Sequence, residues 1–310
     1  MHDTRFVRRE RIAILRVGER CNALVVSTGK NSAWVSIEGE DAPRIAQLKR
    51  MTGKRSMPVP GDVLHVRTLE DGDVVVDGME ERTMTLQRQT PEGRSKTMAA
   101  NLDLLVTVTA LANPAPRLPT LDQLLAFAEL QDLDAAAVFT KPDLAPPDQA
   151  EALAALYGRL GYTTVVINPK QGQNVDALRE LMAGKRALLA GNSGVGKSTI
   201  FSALGGEATV GNVSRYGMGR QTTTAARLYR TPGGFLIDSP GLNEFGLGAL
   251  EPRELALGFR EMAEPQQHCR FTDCRHLQEP GCAIREAVDA GTIAASRYDS
   301  FRAILAKEDR

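Results

Sequence analysis

The chain carries no net charge: 38 Lys and Arg balance 38 Asp and Glu over 310 residues. A uniformly basic nucleic-acid binder is disfavoured on that sum, which says nothing of distribution. Cysteine is scarce, at four residues. A disulfide-stapled framework is excluded at that density, and a reducing cytoplasm is the expected compartment. No apolar run approaches the roughly 18 residues of a membrane span. The start, Met1-His2-Asp3-Thr4-Arg5, is polar and lacks the apolar core of a signal peptide. Internal repeats and low-complexity tracts are missing too. Hydrophobic residues at 42% and charged ones at 25% are ordinary for a globular protein. The length accommodates two or three domains.

The balanced charge is unevenly placed. Residues 1–100 hold 17 basic and 14 acidic side chains, and residues 101–310 hold 21 and 24. Arg5, Arg8, Arg9 and Arg11 sit at the start, and Arg44, Lys49, Arg50, Lys54 and Arg55 follow in one stretch. Such runs are either a solvated face or a contact for a polyanion.

Three regions separate by pattern. Residues 10–90 read as short strands (Arg11–Val17, Ala23–Ser27, Ala33–Ile37, Val63–Thr68, Asp73–Asp77) broken by glycines and by Pro58-Val59-Pro60-Gly61-Asp62. About five such strands predict an OB-type β-barrel, whose open face binds oligonucleotides in many proteins. Residues 100–250 alternate. Strands at Leu104–Ala110, Ala135–Phe139, Thr163–Ile167 and Arg186–Ala190 are separated by helices at Leu121–Gln131, Gln149–Leu160 and Val175–Met182. That alternation predicts a mostly parallel α/β sheet with helices on both faces. Residues 251–310 read as helices at Glu251–Met262, Ala283–Ala290 and Ala294–Lys307 around a Cys/His cluster. The expected domains are a barrel at 1–95, an α/β nucleotide-binding domain at 96–255 and a helical zinc-binding domain at 256–310.

Gly191-Asn192-Ser193-Gly194-Val195-Gly196-Lys197-Ser198 matches G-x4-G-K-[ST] and is followed by Thr199. It follows one predicted strand and opens the predicted helix Lys197–Leu204, the context a phosphate loop needs. Its glycines let successive N–H groups wrap phosphate oxygens. Lys197 is expected on the β- and γ-phosphates and Ser198 on Mg2+. Thr140-Lys141-Pro142-Asp143 ends a strand, where a ligand loop belongs. It resembles the Asn-Lys-x-Asp motif of GTPases, with Thr140 in place of Asn. By that resemblance Asp143 accepts hydrogen bonds from guanine and Lys141 lies along the base. Asp238-Ser239-Pro240-Gly241 resembles the Asp-x-x-Gly element, with Asp238 near Mg2+ and Gly241 sensing the γ-phosphate. One threonine of 222–224, taken as Thr223, is expected to complete the Mg2+ shell. Asn168-Pro169-Lys170 is the candidate for the loop that backs the guanine.

The order of these motifs is permuted. In ordinary GTPases the phosphate loop comes first and the guanine motif last, whereas here residues 140–143 precede 191–198. A circular permutation keeps the sheet and moves the termini. Finally, Cys269-x4-Cys274-x-His276-x5-Cys282 offers three thiolates and one imidazole, a set suited to one tetrahedral structural Zn2+. Arg270 and Arg275 flank the ligands and are candidate phosphate contacts.

Together the barrel pattern, the permuted motifs, Gly61-Asp62, Asn101-x-Asp103 and the zinc spacing make the chain similar to the RsgA/YjeQ family of ribosome small subunit-dependent GTPases. The resemblance covers about residues 10–305. It implies a GTP hydrolase in late maturation of the small (30S) subunit, stimulated by that subunit and released on hydrolysis. It also implies barrel and zinc-domain contacts to 16S rRNA. A monomer is expected. Two features bear on catalysis. Leu242 stands where Ras-like proteins place the water-orienting glutamine. Gln221 stands in Gly219-Arg220-Gln221-Thr222-Thr223-Thr224 where the family has histidine, so Gln221 is expected to orient water rather than act as a base. The alternative function is an RNA-binding module that uses nucleotide mainly as a conformational ligand.

Overall fold

The computed structural model describes residues 18–40, 42–48, 57–89, 95–205, 226–238 and 250–308. The described residues fall into two compact units. One draws on residues 1–102, 182–188 and 205–242, the other on 103–181, 189–204 and 243–310.

In the first unit, strands β1 (Arg20–Thr28), β2 (Ser32–Ile37), β3 (Arg44–Gln47), β4 (Val63–Thr68) and β5 (Val74–Met79) close into a barrel of order β1-β2-β3-β5-β4. Period-two patterning builds it. Ala33, Val35 and Ile37 of β2 point inward with Ala23, Val25, Ala46, Leu64 and Val66. A bulge between Val25 and Ser27 bends β1. The order is that of the expected OB-type barrel. The expected strand Arg11–Val17 lies outside the described residues.

Two further strands, β6 (Thr85–Gln89) and β7 (Ser95–Ala100), form an antiparallel ribbon of their own. The corner between barrel and ribbon explains two of the sequence signatures. Gly61 has φ +95°, and a Cβ there would overlap the Ala100 carbonyl oxygen, so only glycine fits. Asp62 is fully buried. It takes both arms of the Arg82 fork (2.8 and 2.7 Å) and the Val59 N–H at 2.8 Å. Asn101 donates to the Gly61 carbonyl at 3.1 Å and accepts the Thr83 N–H at 2.9 Å.

In the second unit, β8 (Leu104–Ala110), β9 (Ala135–Thr140) and β10 (Thr163–Ile167) pair in parallel, in order β10-β9-β8. Helices α1 (Leu118–Leu130), α2 (Pro147–Arg159) and α3 (Val175–Leu181) follow these strands in turn. Every residue of β8 is buried, as expected of a central parallel strand. Strand β11 (Arg186–Ala190) leads to α4 (Lys197–Ala203). Residues 186–188 of β11 belong to the first unit, where they pair in parallel with β13 (Gly234–Asp238). Strand β12 (Arg227–Thr231) is antiparallel to β13.

The C-terminal part of the second unit contains α5 (Pro252–Leu257), α6 (Arg260–Ala263), α7 (Ala283–Asp289) and α8 (Ala295–Glu308). The single helix expected over 251–262 is broken at Gly258. A Cβ there would stand 2.8 Å from Ala126 Cβ, so α1 passes against bare backbone and the chain turns. Phe259, Met262, Phe301 and Ile304 share a core with Ala126. No described helix is long and apolar enough to cross a membrane.

Candidate functional site

The phosphate loop leaves β11 at Gly191. A side chain at that position would overlap the Val108 carbonyl oxygen, and the backbone has φ +147°. The loop is thus pressed onto the end of β8. Val195 and Ile200 are buried and anchor it, while Ser193, Gly194 and Ser198 are exposed. Lys197 opens α4, after Gly196 at the cap, and no side chain caps the first turn. Its Nζ donates to the Gly191 and Asn192 carbonyls at 2.7 and 2.8 Å, folded back over the loop it serves. Asn192 donates to Thr120 Oγ1 at 3.4 Å. Thr199 lies in the first turn of α4.

The guanine motif ends β9 and reaches the same loop. Thr140 is buried, and its hydroxyl donates to the Val195 carbonyl at 2.5 Å. A short polar side chain with one donor suffices to tie β9 to the phosphate loop, which accounts for threonine in place of asparagine. Lys141 adopts a left-handed φ of +58° and donates through Nζ to the Gly194 carbonyl at 2.8 Å and to the Asn113 carbonyl. Its head is therefore a strut between loops. Pro142–Leu144 form one 3-10 turn that presents Asp143. Asn168, buried after β10, donates from Nδ2 to Asp143 Oδ1 at 2.8 Å and orients the carboxylate. Asn113, whose carbonyl completes the strut, carried no sequence signal, because a backbone acceptor has none.

Asp238 ends β13, as expected for the Asp-x-x-Gly element, and its side chain lies outside the described set. Gln221, Thr223, Gly241 and Leu242 also lie outside the described residues, as do Arg5, Arg8, Arg9, Arg11, Lys49, Arg50, Lys54 and Arg55.

Cys269, Cys274, His276 and Cys282 converge, with all ligand atoms within 4.8 Å of one another. His276 Nδ1 is 3.5 Å from both Cys269 Sγ and Cys282 Sγ, and these two sulfurs are 4.0 Å apart. Tetrahedral zinc with ordinary bond lengths requires N···S edges of about 3.6 Å and S···S edges of about 3.8 Å. The donor set and the spacing therefore fit zinc. Burial pushes the Cys274 thiol up to about 12 and the His276 imidazole down to about 4. A bound divalent cation reverses the penalty on the thiolate. The loop is held locally. Burial alone would raise the Glu279 carboxyl, but its own backbone N–H and those of Gln278, Leu277 and Arg275, the last three at 2.9–3.2 Å, outweigh it and hold it at about 2. Tyr298 of α8 donates to the His276 carbonyl at 2.6 Å.

A phosphate loop and a guanine motif in permuted order on an α/β fold, in one chain with a closed five-stranded barrel and a Cys3His cluster, define a circularly permuted P-loop GTPase. Comparison with known proteins narrows this. The sequence model of the RsgA GTPase family matches residues 79–248. A protein named small ribosomal subunit biogenesis GTPase RsgA from Chromohalobacter salexigens is 39% identical over 279 residues, covering 87% of this chain and 82% of that protein. The protein of the same name from Azotobacter vinelandii is 37% identical over 299 residues, covering 94% and 86%. The crystal structure of YjeQ from Thermotoga maritima matches with a TM-score of 0.76 at 29% identity, covering 94% of this chain and 99% of the other. YloQ, described as a circularly permuted GTPase, matches the fold with a TM-score of 0.74. The chain belongs to the RsgA GTPase family.

Proposed function

We propose that this protein hydrolyses GTP as a maturation factor of the small ribosomal subunit, with hydrolysis stimulated by the subunit and promoting release. The observation that carries this is the joining of base reader and phosphate loop. Lys141 bridges the guanine motif to Gly194, Thr140 bridges it to Val195, and Asn168 aims Asp143. Asp143 offers two acceptor oxygens to the guanine N1–H and amino group, a pair of donors adenine lacks. Residues 191–199 donate backbone N–H groups to phosphate oxygens. Lys197 leaves its loop carbonyls to neutralise phosphate charge. Ser198, Thr223 and Asp238 would hold Mg2+, which supplies charge neutralisation at the β- and γ-oxygens when bound. Gly241 senses the γ-phosphate, and Gln221 orients the attacking water.

The Cys3His cluster holds one structural zinc in this reading. The barrel (1–95) and the zinc-binding module (256–310) flank the GTPase domain (96–255) and contact 16S rRNA through their basic residues. The protein acts as a cytoplasmic monomer. Replacement of the Asp143 acceptor tests base choice. Asp143→Asn weakens GTP binding and shifts preference toward xanthosine triphosphate; unchanged GTP affinity removes Asp143 from the base site.

A further inference from the structure

Arg117 sits where helix chemistry does not want it. It is the N-cap of α1, a position that favours Ser, Thr, Asp or Asn. It makes no side-chain cap, and the first turn of α1 has no acidic residue. Its positive charge faces the positive end of the helix dipole. Local rules broken in this way mark functional positions. Its surroundings say which function. Arg117 lines a small cavity with Ala115, Thr120, Gly191, Asn192 and Val195, and it is the one ionisable residue there. Gly191, Asn192 and Val195 belong to the phosphate loop, and the Asn192–Thr120 hydrogen bond holds the first turn of α1 against it. The cations of the phosphate loop and the guanine motif, Lys197 and Lys141, are engaged with backbone carbonyls. The Arg117 side chain is exposed, and among the described residues its guanidinium makes no hydrogen bond or ion pair. Pro116 and Pro119 on either side restrict the backbone that carries it.

We propose that Arg117 is a catalytic arginine supplied in cis, which turns onto the oxygens of the transferred phosphoryl group. The inference rests on Gly191–Ser198 being the phosphate loop. In the reaction a water oxygen bonds to the γ-phosphorus as the bond to the β–γ bridging oxygen breaks; GDP leaves with that electron pair, and the proton lost by the water passes to a phosphate oxygen. Arg117 transfers no proton. Its N–H groups meet the charge that spreads over the equatorial and bridging oxygens, a task an arginine performs in other phosphoryl-transfer enzymes. Leu242 offers no polar group to share that task.

The test uses the full-length chain with purified small subunits at saturation, comparing wild type, Arg117→Ser, Arg117→Ala and Arg117→Lys. Serine is a better N-cap than arginine, so Arg117→Ser should melt at the same temperature or higher. GDP affinity should hold within about twofold. The stimulated kcat should fall about 100-fold or more in Arg117→Ser and Arg117→Ala, with Arg117→Lys retaining more. Binding of aluminium fluoride with GDP should be lost alongside kcat, and added guanidinium ion should raise the rate of Arg117→Ala alone. An unchanged kcat overturns the proposal. So does a defect seen only as a higher subunit concentration for half-maximal stimulation, which would make Arg117 an RNA contact. If wild type fails to bind GDP, or Lys197→Ala binds it unimpaired, the phosphate-loop reading itself fails, separately from Arg117.

Discussion

In the proposed function Asp143 reads the base, which requires an aimed carboxylate, and Asn168 donates one hydrogen bond of 2.8 Å to it. A hydrogen bond to a charged group contributes roughly 1.5–3 kcal/mol. Asn168→Ala should therefore weaken GTP and GDP alike by about 10- to 100-fold and leave ATP binding as poor as before; equilibrium binding of fluorescent nucleotides checks it. The phosphate loop and the Cys/His cluster were legible in the sequence because each is local, its chemistry packed into 8 and 14 consecutive residues. The Asn168 contact was legible only as a loop of the right place in chain order. Nothing in the spacing says that an amide there will meet a carboxylate 25 residues earlier.

At the scale of elements, α1 and α8 are joined by a buried charge cluster. Arg297 of α8 is 1% exposed. Its guanidinium takes Glu261 at 2.6 and 3.2 Å and pairs with the fully buried Asp122 of α1. The rings of Phe259 and Tyr157 lie 4.5 and 5.6 Å from it, and the Tyr157 hydroxyl donates to Asp122 at 2.7 Å. Burial raises Asp122, and the guanidinium opposes that rise. Removing one partner of a buried pair strands the other charge, at a cost of about 3–5 kcal/mol. Arg297→Leu should lose that much in denaturant unfolding, and Arg297→Leu combined with Asp122→Leu should recover part of it. The cluster was invisible in the sequence because its partners lie 175 residues apart. Strands β8, β10 and β11 were read with their observed bounds; β8, buried throughout, is the near-continuous apolar run of a central parallel strand, whereas β10 and β11 are only partly buried. Strand β3 was missed because Arg44–Gln47 is four residues long and opens a basic stretch. The β6–β7 ribbon was missed because its exposed face is polar and its buried face is made largely of alanine and methionine.

At the scale of the whole molecule, zero net charge is a sum over unlike parts. In the proposed function the parts have distinct tasks, and basic residues are denser in residues 1–100, with 17, than in residues 101–310, with 21. Neutralising Arg8, Arg9, Lys49, Arg50, Lys54 and Arg55 together should weaken subunit binding and flatten its salt dependence, since each lost phosphate contact reduces the slope. The proposed zinc acts on the whole molecule too, because a closed Cys3His site contributes folding energy when metal binds. Cys274→Ser should bind less than one equivalent of metal and lower the melting temperature of the α7–α8 region, read by hydrogen exchange, while GDP binding at Gly191–Ser198 persists. GTP turnover by the wild-type protein, with and without purified small ribosomal subunits at stated salt, tests subunit-stimulated hydrolysis most directly. Turnover should be slow alone, rise at least tenfold with small subunits, and respond little to large subunits. Turnover that subunits leave unchanged, together with tight RNA binding indifferent to nucleotide, would contradict it.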